Sequence, residues 1–170
     1  RAFPRVVLVK LSADAMTTDE RPTRLAIVGG GVIGCELATI FARFGSEVHL
    51  LDAAPTAFPD LPPEIGDLVD DVLGAARVRV RRSVAIDHVS RRGGGVRTAF
   101  ETGACLDTDR LLIATGTRPR SDGLGLEHLG VDPKEMQVGL DGRVAGTSSL
   151  WAIGDVAGFG EYTHLANHQA

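Results

Sequence analysis

The feature that most constrains the fold is a run of three glycines between an apolar segment and a helix-like segment. The stretch "IVGGGVIGCELA" occupies residues 27–38. Its first two residues end "RLAIV", residues 24–28, a short apolar run typical of a strand buried on both faces of a parallel sheet. After the glycines, apolar side chains recur at helical spacing as far as Gly45, which is suited to end a helix. The pattern predicts a buried strand, a tight turn and an amphipathic helix.

The next segments repeat the alternation of strand and helix. "EVHLLD" predicts a second strand, "PPEIGDLVDDVLGAA" a helix that begins with prolines, and residues 77–81 a third strand. This order implies a parallel sheet with right-handed crossovers, and we expect helices on both of its faces. Each helix carries an apolar stripe that we expect to face the core. The stripes are Ile33, Leu37, Ile40, Phe41 and Phe44 in the first helix, and Ile65, Leu68, Val69, Val72 and Leu73 in the second.

The pattern changes after the third strand. Residues 83–116 alternate apolar and polar side chains, turn at Gly93–Gly95 and near Gly103, and end in the continuous apolar run "LLIATG". They predict an antiparallel meander that returns to the parallel sheet. "SLWAIGD" predicts one further strand. The predicted fold class is therefore α/β, a Rossmann-like parallel sheet with a β-meander crossover.

Gly29, Gly31 and Gly34 satisfy the pattern G-x-G-x-x-G. The pattern follows a predicted strand and opens a predicted helix, which favours a dinucleotide site. Gly29 would allow the sharp turn, Gly31 would leave room for a pyrophosphate, and Gly34 would let helix and strand approach closely. Gly30 has no assigned contact, and we expect any small residue to serve there. The alternative is a tight strand-helix joint with no ligand.

The first helical turn and the end of the next strand complete the predicted site. Main-chain N–H groups near Val32 and Ile33 would face the anion. Asp52 ends the second strand and can accept hydrogen bonds from a ribose diol, although it could also be a solvated strand end. The residues that follow Asp52 are Ala-Ala-Pro, with no Arg or Lys, so we expect NAD rather than NADP.

Composition narrows the class of protein. A net charge of −4 without basic clusters argues against a nucleic-acid or lipid-surface protein. The run "RVRVRR" at 77–82 alternates with valine and is interpreted as a charged edge strand. No apolar run is long enough for a membrane span or a secretory signal, so we expect a cytoplasmic protein. Cys35 and Cys105 form no metal motif, and we expect both to be buried and structural.

Three segments together resemble the pyridine nucleotide-disulfide oxidoreductases, the family of dihydrolipoamide dehydrogenase and mercuric reductase. They are "LAIVGGGVIGCELATIFARFGSEVHLLD", "LLIATGTRPRSDGLGLEHLGV" and "GRVAGTSSLWAIGDVAG", and they cover most of residues 25–170 in the family's order. The resemblance implies an NAD-binding domain at 25–119 and a partial FAD-binding segment at 120–170. Residues 10–24 are polar and without periodicity, so we expect a linker or disordered lead-in at 1–24. Both ends of the chain look cut, so we expect a fragment.

The resemblance also assigns individual residues. Glu36 matches a glutamate near the nicotinamide ring, with a solvent-facing helix glutamate as the alternative. Gly116 would let the chain pass close to the dinucleotide. Arg118 resembles an arginine on the flavin pyrophosphate, with an ordinary surface arginine as the alternative. Val32 stands where some members carry a tyrosine that shields the flavin.

In the flavin segment, Asp155 matches an aspartate that binds the ribitol of FAD, and Gly154 would allow its close approach. A helix beginning near Thr163 would face the flavin. Trp151 and Ile153 are expected to lack sheet partners here. The segment "SLWAIG" should therefore show less protection from hydrogen exchange than "RLAIV".

These features imply part of an oxidoreductase in which NADH reduces FAD and the flavin passes electrons to a disulfide, a dithiol or another acceptor. We expect no catalytic residue and no metal ligand in this stretch, and the isolated chain should not turn over. The whole enzyme is expected to be a homodimer. One alternative is a non-catalytic dinucleotide-binding module, a sensor or a subunit. Another is a flavoprotein in which the glycine motif and Asp155 bind one FAD.

Overall fold

A computed structural model describes residues 8–10, 21–116, 121, 123–160 and 163–170. The chain divides into two compact units, Arg1–Gly116 and Thr117–Ala170. Within the described residues the first unit contains a five-stranded parallel sheet and a three-stranded antiparallel sheet. Its strands are β1 (Leu8–Lys10), β2 (Arg24–Val28), β3 (Glu47–Leu51), β4 (Arg79–Arg81), β5 (Ile86–Arg92), β6 (Gly95–Phe100), β7 (Cys105–Thr108) and β8 (Arg110–Ile113), and its helices are α1 (Val32–Arg43) and α2 (Pro63–Ala75).

The parallel sheet has the order β1-β8-β2-β3-β4, with β2 at its centre. β2 pairs in register with β3 on one side and with β8 on the other. The chain therefore leaves β2 in one direction and returns on its other side after the meander. That arrangement is the topological switch point at which open α/β sheets bind their ligands. β4 lies at an edge, as the charged run "RVRVRR" predicts.

The two faces of this sheet have different covers. Helices α1 and α2 pack on one face, where Leu37, Ala38 and Leu73 meet Ile27 and Leu50 in one apolar cluster. The meander β5-β6-β7 packs on the other face, in a second apolar cluster made of Ala26, Leu51, Val89, Val96, Phe100, Leu106 and Leu111. The predicted α/β sheet and meander are confirmed, but helices on both faces are not what the described residues form. The meander supplies the apolar cover that a second helical layer would otherwise give.

On both helices the buried face is rotated from the predicted stripe but keeps part of it, because Leu37 and Phe41 of α1 and Val69 and Leu73 of α2 pack on the core. On α1 the buried residues are Gly34, Leu37 and Ala38, whereas Ile33, Ile40 and Phe44 of the predicted stripe are exposed. On α2 the buried residues are Gly66 and Leu73, whereas Ile65, Leu68 and Val72 are exposed. Gly34 of α1 faces the main-chain carbonyl of Gly29, and Gly66 of α2 faces that of Ala57, in both cases too closely for a side chain. Because the backbones approach so closely, each helix packs on the core with its small residues.

The beginning of the first unit and the burial of one cysteine also differ from expectation. Leu8–Lys10, within the predicted linker, forms strand β1 and pairs parallel with β8. Asp109 accepts hydrogen bonds from the N–H groups of Thr23 and Arg24, which fixes the beginning of β2. Cys35 is half-buried, and Cys105 is exposed, so the prediction of a buried Cys105 is wrong.

The second unit is described by itself. It contains short 3₁₀ helices at Leu126–Leu129 and Gly154–Ala157, and helix α3 (Thr163–Gln169). A small core joins Val144, Ala152 and Ala157. The predicted strand "SLWAIGD" is reduced to a single bridge between Trp151 and Arg143, because the chain turns into the 3₁₀ helix at Gly154. Trp151 is 52% and Ile153 44% exposed, and it stays a prediction that they lack here the sheet partners of a complete flavin domain.

Candidate dinucleotide site

The candidate site lies at the carboxyl edge of the parallel sheet. The glycine loop follows β2, Asp52 follows β3, Arg82 follows β4, and the loop from Ala114 to Gly116 follows β8. Parallel pairing brings these four strand ends to one edge. The sheet thereby brings the predicted residues Gly29, Gly31 and Asp52 to the same edge as Gly116.

Gly29 and Gly34 are required by the fold itself. Gly29 has a φ of +107°, and a side chain there would overlap the carbonyl oxygen of Ala114. A side chain at Gly34 would overlap the carbonyl oxygen of Gly29. Neither obstacle is a mobile side-chain tip, so the strand, the turn and α1 fit together only with glycine at both positions. The predicted sharp turn and close helix-strand approach are present.

Gly31 differs, because the fold does not require it. Its backbone is extended (φ −75°, ψ −172°), and a side chain built there meets nothing within 4 Å. The residue caps α1, and the N–H of Cys35 donates to its carbonyl at 3.0 Å. The N–H groups of Val32, Ile33 and Gly34 lie in the first turn of α1, where no earlier helical turn supplies carbonyl acceptors. Gly31 therefore leaves open the space in front of the helix end, as a bound anion requires.

Gly30, to which the sequence assigned no contact, faces two charged side chains. A side chain at Gly30 would overlap both the Arg82 guanidinium and the Asp52 carboxylate. These two side chains lie against the middle of the glycine loop and form an ion pair of 2.7 Å. Even a methyl group would have to displace the ends of these two side chains, and the expectation that a small residue would serve at Gly30 stays a prediction.

Asp52 and Arg82 belong to a partly buried network with Asp70 of α2. Arg82 contacts Asp70 through Nη2, at 2.6 Å from Oδ1, and through Nε, at 3.4 Å from Oδ2. The Arg82 and Asp52 side chains are 11% and 17% exposed. Burial opposes the charge on Arg82, but its hydrogen bond to Asp70 and the charges of both carboxylates raise the pKa of the guanidinium above its usual value. One arginine thus neutralises part of an acidic pair.

This network corrects one premise of the sequence analysis. The expectation of NAD rested on the absence of a cation directly after Asp52, yet the fold places Arg82 on its carboxylate. The residue lies 30 positions further along the chain, after the neighbouring strand. The position of Arg82 in the sequence could have indicated this contact, because in a parallel sheet the residue after β4 meets the residue after β3.

Cys35 lies beside the same network. Its thiol donates to the carbonyl of Gly30 at 3.3 Å. Burial raises the pKa of the Cys35 thiol, and the positive charge of Arg82 only partly offsets this. A thiol with a raised pKa is a poor nucleophile, so Cys35 is a packing residue of the loop.

The remaining predicted residues lie as follows. Glu36 is exposed on α1, and Gly116 is exposed with a φ of +110° and open space where a side chain would be. Arg118 lies outside the described residues. In the second unit Gly154 has a φ of +70° and donates its N–H to Oε1 of Gln169 at 2.8 Å. Asp155 is exposed within the 3₁₀ helix, and α3 begins at Thr163.

A central β2 at the switch point, a glycine turn into α1 and an acidic residue after β3 define the class: a Rossmann-like dinucleotide-binding α/β protein. Comparison with known proteins narrows the class. Residues 9–170 match the pyridine nucleotide-disulphide oxidoreductase family, and the chain belongs to that family. Its members bind FAD and NAD(P).

Individual proteins similar to this chain are consistent with this family. The chain is 36% identical to a dihydrolipoyl dehydrogenase of Bacillus subtilis over 93% of its length, and 33% identical to one of Pseudomonas aeruginosa, also over 93%. It superimposes on the HOCl-induced flavoprotein disulfide reductase of Escherichia coli with a TM-score of 0.86 at 30% identity, covering 95% of this chain and 37% of that one.

The chain spans about a third of the curated relatives it matches, 35% of the first and 34% of the second. None of the helices in the described ranges is long and apolar enough to cross a membrane.

Proposed function

We propose that residues 25–119 bind the nicotinamide dinucleotide of an FAD-dependent oxidoreductase, in which NADH reduces FAD and the flavin passes electrons to a disulfide, a dithiol or another acceptor. The observation that carries the proposal is the open space at Gly31, in front of the first turn of α1 and beside Asp52. An anion and a ribose diol are the groups that such an edge suits.

The residues of this chain divide the binding between them. The N–H groups of Val32 and Ile33 would donate to the pyrophosphate, and Gly31 would leave it room. Asp52 would accept from the ribose hydroxyls. Its Oδ1 already accepts from the N–H of Ala54 at 3.2 Å and its Oδ2 from Arg82. A carboxylate has about four acceptor positions, so two are left for a diol.

The contacts to the nicotinamide and flavin are part of the same proposal. Glu36 would lie near the nicotinamide, Gly116 would allow close passage of the chain, and Arg118 would contact the flavin pyrophosphate. In residues 120–170, Asp155 would bind the ribitol of FAD, with Gly154 and the start of α3 at Thr163 beside the flavin. The exposure of Glu36 and Asp155 supports these roles, because both carboxylates are accessible.

Titration with NADH tests the proposal. We expect NADH to bind the purified protein and Gly31→Ala to weaken that binding at least tenfold. The variant should keep its far-UV circular dichroism and unfolding midpoint, because its methyl group enters open space. Gly74→Ala is the matched control, since Gly74 on α2 also has open space and is away from the strand ends. Equal NADH binding by the Gly31 variant and the wild type would refute the site.

We further propose that the whole protein is a cytoplasmic homodimer. The two cysteines of this chain are unpaired, and one of them, Cys105, is exposed, which suits a reducing compartment. The family resemblance supports the dimer. Sedimentation of the full-length protein, together with cell fractionation, tests both statements, and a monomer or a periplasmic protein would contradict them.

A further inference from the structure

Arg82 is a charged residue of the candidate site with no assigned contact to the dinucleotide. It lies against Gly30 in the glycine loop and pairs with the carboxylate assigned to the ribose. If Asp52 binds the ribose, the guanidinium would be close to a substituent on that ribose. This inference rests on the proposed function and concerns the choice between NADH and NADPH.

The anchoring of Arg82 does not depend on Asp52. Asp70 holds the guanidinium by two contacts, to Nη2 and to Nε, and this leaves Nη1 directed at Asp52. Removing the Asp52 charge would free Nη1 without releasing the side chain from Asp70. An arginine fixed in this way is preorganised to donate hydrogen bonds to phosphate oxygens.

The charges at this point oppose one another. Asp52 and Asp70 contribute two negative charges and Arg82 one positive charge, a local sum of −1. A 2′-phosphate carries about −1.5 to −2 near neutral pH, and it would have to replace Asp52 as the partner of Nη1. The uncharged 2′-hydroxyl of NADH instead donates to Asp52 and leaves the ion pair intact.

We propose that Arg82 determines nucleotide specificity as a phosphate-binding residue covered by Asp52. With Asp52 charged, Arg82 positions that carboxylate for the ribose diol of NADH. With the charge removed, Arg82 binds the 2′-phosphate of NADPH. Asp52 and Arg82 thus act as one specificity element, and the charge at position 52 decides which dinucleotide the site prefers.

The test measures dissociation constants of NADH and NADPH, and of 5′-AMP and adenosine 2′,5′-bisphosphate, for four forms of the protein: wild type, Asp52→Asn, Arg82→Gln and the double variant. In Asp52→Asn we expect the NADH-to-NADPH preference to shift toward NADPH by about tenfold or more, equivalent to about 1.4 kcal/mol. The bisphosphate should gain relative to AMP by a similar factor. Both gains should weaken as salt is raised.

The double variant decides whether Arg82 is responsible. Its affinity for NADPH and for the bisphosphate should fall back toward the wild-type value, whereas Asp52→Asn combined with Arg82→Lys should keep part of the gain. Arg81→Gln is the matched control, because Arg81 faces the Phe100 ring at 5.9 Å and should not change the preference. Unfolding curves for each variant separate a loss of binding from a loss of fold.

The outcomes distinguish the two proposals. If the wild type binds NADH but Asp52→Asn gains no preference for the 2′-phosphate, the role of Arg82 is refuted and the proposed function stands. A gain that persists in the double variant also refutes it. If the wild type binds neither dinucleotide at millimolar concentration, the proposed function fails and this inference fails with it.

Discussion

Two of the helix glycines, Gly34 and Gly74, allow the packing of the glycine loop to be measured with one type of substitution. Each lies in a helix of the first unit, and replacing a glycine in a helix interior by alanine is worth about 1 kcal/mol in helix propensity. At Gly74 the new methyl meets nothing within 4 Å. Gly74→Ala should therefore raise the free energy of unfolding by up to about 1 kcal/mol.

At Gly34 the same methyl overlaps the carbonyl oxygen of Gly29 and contacts Cδ1 of Leu50 at 3.6 Å. Overpacking a well-packed core costs about 1–3 kcal/mol. The upper end applies because the obstacle is main chain and α1 would have to move as a body. After the gain of about 1 kcal/mol in propensity, Gly34→Ala should lower the free energy of unfolding by about 2 kcal/mol.

Urea-induced unfolding followed by far-UV circular dichroism measures both variants against the wild type. The expected difference between them is about 3 kcal/mol, which exceeds the usual extrapolation error of such curves. A Gly34 variant as stable as the Gly74 variant would refute the argument, because α1 would then not be packed against the glycine turn as closely as described.

Three further predictions follow from named contacts. Burial lowers the pKa of His49 and the hydrogen bond with Glu47 only partly offsets it, so as pH falls below about 6.5 the unfolded chain binds a proton before the folded one does. The free energy of unfolding should therefore drop between pH 7.5 and pH 5.5, and less so in His49→Gln, as measured by urea curves at the two pH values; equal drops would contradict this. Gly30→Ala should weaken NADH binding several-fold by displacing the Asp52–Arg82 pair, with an unchanged affinity in a titration counting against it. Asp109→Ala should lower stability by about 1–3 kcal/mol in thermal or urea unfolding, because the N–H groups that begin β2 lose a charged acceptor at 2.7 and 2.8 Å; a wild-type midpoint would show that water replaces it fully.

Much of the first unit follows from local pattern. The continuous apolar runs before Gly29 and at "LLIATG" predict buried parallel strands, and both are strands of the central sheet. Gly29 and Gly34 are needed because backbone atoms approach within the turn itself, so a short segment contains the whole cause. The family could be identified from the same segments, and the match over residues 9–170 confirms it.

Some features depend on which elements pack together, and the periodicity of the sequence does not reveal that packing. The apolar stripes of α1 and α2 predicted only part of the buried face, because the glycines Gly34 and Gly66 set how closely each helix approaches the main chain. The second sheet face was assigned to a helix although the meander covers it. Leu8–Lys10 forms a strand only because β8 offers it a free edge.

Three features could be predicted from local sequence, because each depends on side chains close together in the chain: the strand-glycine-helix unit, the apolar strands and the acidic residue at the end of β3. The electrostatics of the site depend instead on which strand ends meet in the folded sheet. Arg82 meets Asp52 and Gly30 because parallel pairing aligns the ends of β3 and β4, and Asp70 holds the arginine there from α2. Charges that act over a few ångströms respond to distance in space, and the distance between residues 52 and 82 is set by the register of the sheet.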